Sequence, residues 1–134
     1  MEKEAIAIVD DNLVNLKLIK VILELEGYQT YTVTTAEDLD ELLSRVTPAL
    51  ILMDLQLPGV SGLELTRKLK ADNKYKQIPI IAITAYAMKG DKEKSIEAGC
   101  DGYISKPIDV STFPALIEQF LKGSSVPKQS EKID

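Results

Sequence analysis

Strand-like and helix-like segments alternate five times along this chain, and no other feature restricts its fold as tightly. Strands separated by helices pair most readily as parallel βαβ units, and a run of such units buries a parallel sheet between two layers of helices. The strand signals are AIAIV (Ala5–Val9), QTYTV (Gln29–Val33), ALILM (Ala49–Met53, with Asp54 at its tip), IPIIAIT (Ile78–Thr84) and GYIS (from Gly102). Helix signals lie between them. Asn12 is placed to cap a first helix that ends near Glu26, with Gly27 as its stop. Thr35 caps a second over Ala36–Arg45, and Ser61 with Glu64 has capping-box spacing for a third, to about Lys70. A fourth covers about Lys89–Ala98 and stops at Gly99, and a fifth runs from Ser111 to about Lys122, with Pro114 in its first turn, where the missing N–H costs nothing. The first, third and fourth strands are apolar throughout, as central strands covered on both faces are; the second and fifth alternate, as edge strands can. The expected architecture is an α/β, doubly wound (βα)5 fold with a parallel five-stranded sheet in order 2-1-3-4-5.

Two helices depart from an ordinary amphipathic pattern. The first carries Leu13, Val14, Leu16, Leu18, Ile19, Val21, Ile22, Leu23 and Leu25, more than one core stripe accommodates. Either its buried face is wide, or a ridge is left exposed for a partner's helices. The fourth, KGDKEKSIEA, offers little besides Met88, Ile96 and Ala98 to a core, which fits either a solvated helix or a weakly anchored switch surface. Residues 124–134 are polar and aperiodic; they read as a disordered tail or linker after a domain spanning 1–123.

Composition removes whole classes of function. The chain has no histidine, so His-based acid–base catalysis, His-activated nucleophiles and His metal sites are excluded. A metal here is held by oxygen, which selects Mg²⁺, Ca²⁺ or Mn²⁺. The net charge of -5 argues against direct nucleic-acid binding. No apolar run reaches membrane-span length and no signal peptide is evident, so no membrane contact and a cytoplasmic location are expected. The lone Cys100 reads as a small buried residue in a reducing compartment.

The carboxylate that ends the third strand is not alone. Asp10 and Asp11 end the first strand, Thr84 ends the fourth, and Lys106 follows the fifth. In a parallel sheet these ends share one edge, and order 2-1-3-4-5 places the first and third strands at the point where doubly wound sheets bind ligands. Three carboxylates there repel one another, and a hard divalent cation resolves the repulsion. An aspartate beside such an ion can attack a phosphoryl group, with a lysine and a hydroxyl to hold the remaining oxygens.

The fragments IVDDN, LILMDLQLPGVSG, ITAYAMKGD and GYISKPID, in this order and spacing, resemble the receiver domain of two-component response regulators over about Glu4–Gly123, with a CheY-like fold. MDLQLPGVSGLELT, TAYAMKGD and YISKPI are most similar to the DivK-like single-domain regulators. The resemblance implies a phosphoacceptor signalling protein, not an enzyme with an external substrate. Asp54 would take the phosphoryl group. Asp11 would ligate Mg²⁺ (or Mn²⁺) directly, Asp10 mainly through water, and the Gln56 backbone carbonyl would add a ligand. Lys106 would pair with the phosphoryl group and the Lys106–Pro107 peptide would be cis, Thr84 would bond a phosphoryl oxygen, and Tyr103 would be the switch aromatic. Gln56 and Tyr86 occupy positions thought to tune phosphoryl lifetime. The donor would be a histidine kinase or histidine phosphotransfer protein, and a downstream protein would read the face formed by helix four, strand five and helix five. Two rival readings share the residues: a metal-dependent phosphohydrolase, which would want an aspartate where Gln56 stands, and a phosphorylation-independent scaffold.

Overall fold

The computed structural model describes residues 4–57, 59, 61–84 and 91–122. The expectations for Tyr86, Met88, the start of the fourth helix and the 124–134 tail lie outside them. Strands β1 (Ala5–Val9), β2 (Gln29–Val33), β3 (Leu50–Asp54), β4 (Ile80–Thr84) and β5 (Gly102–Ser105) alternate with helices α1 (Leu13–Leu25), α2 (Ala36–Leu43), α3 (Gly62–Ala71), α4 (Asp91–Ala98) and α5 (Phe113–Leu121). All strand pairs are parallel and the order is β2-β1-β3-β4-β5. β3 and β4 are buried along their whole length, which is why they are apolar up to the polar residues at their carboxyl ends, Asp54 and Thr84.

Alternation along the strands splits the core in two. Ile6, Ile8, Leu50, Leu52, Ile81 and Ile83 face α1 and α5, meeting Leu16, Ile19, Leu23, Phe113 and Ile117. Ala7, Val9, Ile51, Met53, Ile80 and Ala82 face the other way, toward Leu39 and Leu42 of α2 and Leu65 and Leu69 of α3. The apolar excess of α1 resolves into two faces. Leu16, Ile19, Ile22 and Leu23 are buried, whereas Leu13, Val14, Leu18, Val21 and Leu25 stand in solvent, Val14 and Leu25 at 77% and 81% exposure. Val14, Leu18, Val21 and Leu25 follow one another at intervals of four, three and four, so they line one ridge.

Several boundaries differ from those the sequence suggests. The β4 ladder begins at Ile80 rather than Ile78: Ile78 is held in a turn by Tyr75 O, and Pro79 has no N–H to offer. α2 stops at Leu43, because Arg45 N bonds back to Leu42 O in a tightened final turn. α5 begins at Phe113 rather than Ser111, so Pro114 is its second residue. Asp109 accepts from both the N–H and the hydroxyl of Ser111, and its carbonyl accepts from Phe113 N, which spends this segment on a turn. Ser61 caps α3 by accepting from Leu63 N rather than from Glu64 N. At the amino edge of the sheet, Lys70 Nζ reaches Lys76 O, Ile78 O and Asp101 Oδ2, and the same Asp101 oxygen accepts from Ile80 N. That cluster ties α3 to the entrances of β4 and β5.

Candidate functional site

The carboxyl ends of β1, β3, β4 and β5 converge because parallel pairing sets them in register: Val9 lies beside Met53, Asp54 beside Ile83, and Thr84 beside Ser105. Asp10 and Asp54 are 2% and 3% exposed, and Asp11 is exposed. One carboxylate oxygen from each of the three lies within 4.8 Å of the others. Lys106 Nζ lies 3.2 Å from Asp10 Oδ2 and 3.6 Å from Asp54 Oδ2, with its side chain largely buried. The lysine therefore bridges two strand ends and sits somewhat nearer Asp10.

The two buried aspartates are held alike. Asp10 Oδ1 accepts from Asn12 N at 2.8 Å, and Asp54 Oδ1 accepts from Gln56 N at 2.9 Å. Each thus uses one oxygen on the N–H two residues ahead and turns the other toward Lys106. Asn12 also caps α1, accepting from Val14 N and Asn15 N, so the helix start and the Asp10 rotamer are fixed by one residue. Thr84 is buried at the end of β4, and its carbonyl accepts from Lys106 N at 2.8 Å. The Lys106–Pro107 peptide is cis.

Burial pushes the Asp54 carboxyl up to about 6; the Gln56 N–H works against the rise, the Asp10 carboxylate adds to it, and Lys106 opposes it. A lone ammonium therefore does not neutralise the crevice. The donor set is all oxygen and dense in charge, which fits a hard divalent cation. Burial pushes the Cys100 thiol up to about 11, and it donates to Thr66 Oγ1, with Sγ 3.9 Å away.

Sequence reasoning located Asp10, Asp11, Asp54, Thr84 and Lys106 on this edge, and the structure brings all five to it. Gln56 lies on the adjoining loop, bridged to Ser61. Tyr103 is half-buried on β5 beside Ala82, two residues before Thr84 on the same sheet face. Asn12 was legible only as a helix cap, since its N–H contact to Asp10 depends on the turn between them.

A doubly wound sheet with an acidic crevice at its switch point and a lysine across it defines a class of phosphate-handling α/β domains. The description "Response regulator receiver domain" fits residues 6–118, and the chain belongs to that family. It is a phosphoacceptor of two-component signalling rather than an enzyme acting on an external substrate. The polar-differentiation response regulator DivK of Brucella anthropi is 46% identical over 118 residues, covering 88% of this chain and 96% of that protein. The receiver domain of sensor histidine kinase PA1611 from Pseudomonas aeruginosa PAO1, whose crystal structure has a magnesium ion coordinated in the active site cleft, is 31% identical, with TM-score 0.81 over 90% of this chain and 98% of that one. A response regulator structure from Chloroflexus aurantiacus J-10-fl shares the fold, with TM-score 0.86 at 23% identity over 91% of this chain and 100% of that one. Among the described residues, no helix is long and apolar enough to cross a membrane.

Proposed function

We propose that Asp54 is the residue that receives the phosphoryl group, from a phosphohistidine on a histidine kinase or histidine phosphotransfer protein. The observation that carries this is the place of β3 in the sheet. It runs between β1, which brings Asp10 and Asp11, and β4, beyond which β5 brings Lys106. In strand order Asp54 therefore lies between the other carboxylates and the residues suited to phosphoryl oxygens, and Lys106 Nζ reaches across to Asp54 as well as to Asp10. A carboxylate oxygen of Asp54 attacks phosphorus, the phosphorus–nitrogen bond breaks, and the imidazole departs with its electron pair. Asp10, Asp11, Asp54 and the Gln56 backbone carbonyl would hold Mg²⁺, or Mn²⁺. The ion, when bound, supplies positive charge to the phosphoryl oxygens. Lys106 and the Thr84 hydroxyl bind the oxygens that the ion leaves free. Water attack on phosphorus later restores the carboxylate and releases phosphate.

The exposed α1 ridge is the surface offered to the donor's helices, beside the crevice through the Asn12 cap. Output passes through Tyr103 and the α4–β5–α5 face to a downstream protein. With this reading go a receiver domain over 1–123, a linker or tail beyond it, and a cytoplasmic location. Incubation with acetyl phosphate and Mg²⁺, followed by mass spectrometry of intact protein and peptides, tests the assignment. One phosphoryl group is expected on the peptide containing Asp54, absent in Asp54→Asn and without Mg²⁺. Undiminished labelling of Asp54→Asn overturns it.

A further inference from the structure

We propose that Gly62 is a positioning residue for the Asp54 carboxylate and acts through a single peptide group. This rests on the phosphoacceptor reading of Asp54. Gly62 is the first residue of α3, and no φ in the left-handed region demands glycine there. The demand is for space. A Cβ on residue 62 would lie 2.6 Å from Leu55 Cα and closer still to the Asp54 carbonyl oxygen. Both are backbone atoms at the tip of β3, so no flexible side chain can swing aside.

Neither partner in that collision is free to retreat. Asp54 is paired with Ile83, and Leu55 N bonds Ile83 O at 3.2 Å, which pins the strand end to β4. On the other side, Leu65, Thr66 and Leu69 are buried and hold α3 down. The close approach serves a connection. Gly62 N donates to Leu55 O at 3.1 Å, and Gln56 N donates to Asp54 Oδ1 at 2.9 Å. The Leu55 carbonyl and the Gln56 N–H belong to the same peptide. The first N–H of α3 thus sets the plane of the peptide whose other side fixes the carboxylate. The positive end of the α3 dipole polarises that peptide and strengthens its N–H toward Asp54. Moving α3 outward to admit a methyl group would tilt this plane and turn Asp54 Oδ1 out of line. The Gln56 carbonyl, the next along the chain, would be displaced as well.

Two variants and one measurement on the wild type decide the matter. Gly99→Ala is the control. It sits at the opposite edge of the sheet with φ +107, and its Cβ would meet Lys70 Cγ at 2.9 Å, so it strains the fold without touching the crevice. Mg²⁺ affinity is read by amide NMR titration and acceptor function by acetyl-phosphate labelling. Gly62→Ala is expected to weaken Mg²⁺ binding by about tenfold or more and to slow labelling. Gly99→Ala should change both by less than about threefold even where its melting temperature falls as far. In the wild type, the Gly62 and Gln56 amides should show matched hydrogen-exchange protection, and both should slow together when Mg²⁺ is added. If Gly62→Ala does not fold, this exchange measurement stands alone. A folded Gly62→Ala with wild-type Mg²⁺ affinity, or a Gly62 amide indifferent to Mg²⁺ while Gln56 responds, overturns the proposal. Loss of labelling at Asp54 in the wild type would instead remove the phosphoacceptor reading.

Discussion

At Asp54, burial and the Asp10 carboxylate act in the same direction, and the ionised form is held in the folded state at some cost. The folded carboxyl titrates near 6, above its ordinary value of 3.8. Between those two pH values the folded state binds more protons than the unfolded state, so this group's contribution to stability falls as pH rises through that window. Below it the contribution is fully present; above it the contribution is gone. In chelator, Asp54→Asn should therefore be more stable than wild type at pH 7.5, by about 1–3 kcal/mol. The difference should shrink as pH drops from about 6 toward 4. Urea denaturation of both proteins across that range measures it, and an Asn variant less stable than wild type at pH 7.5 would contradict the crowded-carboxylate account.

Among the elements, α1 combines two roles on two faces. Its buried side anchors the sheet through Leu16, Ile19 and Leu23, and its exposed ridge of Val14, Leu18, Val21 and Leu25 rests on nothing within the described residues. A charge placed on the ridge should leave the core intact. Leu18→Glu, at a side chain 39% exposed, is expected to lower folding stability by no more than about 1.5 kcal/mol. It should leave labelling by acetyl phosphate unchanged, because that reagent needs no docking surface. Phosphotransfer from a cognate histidine phosphoprotein should slow by about tenfold or more, as burying an unpaired carboxylate in an apolar interface is costly. Equal loss with both donors would assign the effect to the crevice rather than to docking. Helix α4 is built the opposite way. Its polar sequence leaves Ser95 and Ala98 as its buried residues among those described, with Ile96 exposed. Few buried contacts hold it, which suits an element that changes position.

Across the whole molecule, the proposed output requires the crevice to communicate with the α4–β5–α5 face, and the sheet offers the route. Thr84 and Tyr103 lie on adjacent strands and on one face, separated by the register step from Ser105 to Tyr103. On the proposed reading, phosphoryl charge at Asp54 would draw the Thr84 hydroxyl by a charge-assisted hydrogen bond, and the space it leaves beside β4 would admit the Tyr103 ring. Coupling of this kind typically amounts to about 1–3 kcal/mol, so phosphorylation is expected to shift the balance between the two arrangements by roughly five- to 150-fold. With Mg²⁺ and beryllofluoride, amide shifts should extend from residues 54–56 to Tyr103 and the first turn of α5. Thr84→Ala should keep Asp54 phosphorylatable and shrink the distant shifts. Shifts confined to residues touching the ion and the phosphoryl mimic would refute the relay.

The order of the strands and the clustering of Asp10, Asp11, Asp54, Thr84 and Lys106 were legible in the sequence, for a local reason. Periodicity and apolar run length report how each segment is covered, and parallel topology then sends every strand end to one edge. What the sequence left open was the division of α1 into a buried and an exposed side. Both sides are aliphatic, so only the position of β1, β3 and α5 selects between them. Helix starts were likewise misplaced at α5, where the Asp109 turn outcompetes helix for the same N–H groups. The tertiary structure alone decided that Lys106 bridges Asp10 and Asp54, that burial pushes the Asp54 carboxyl up to about 6, and that a Cβ on residue 62 would meet the backbone at the end of β3. Each depends on distances between segments remote in sequence, and a residue's own neighbours along the chain carry no record of those distances.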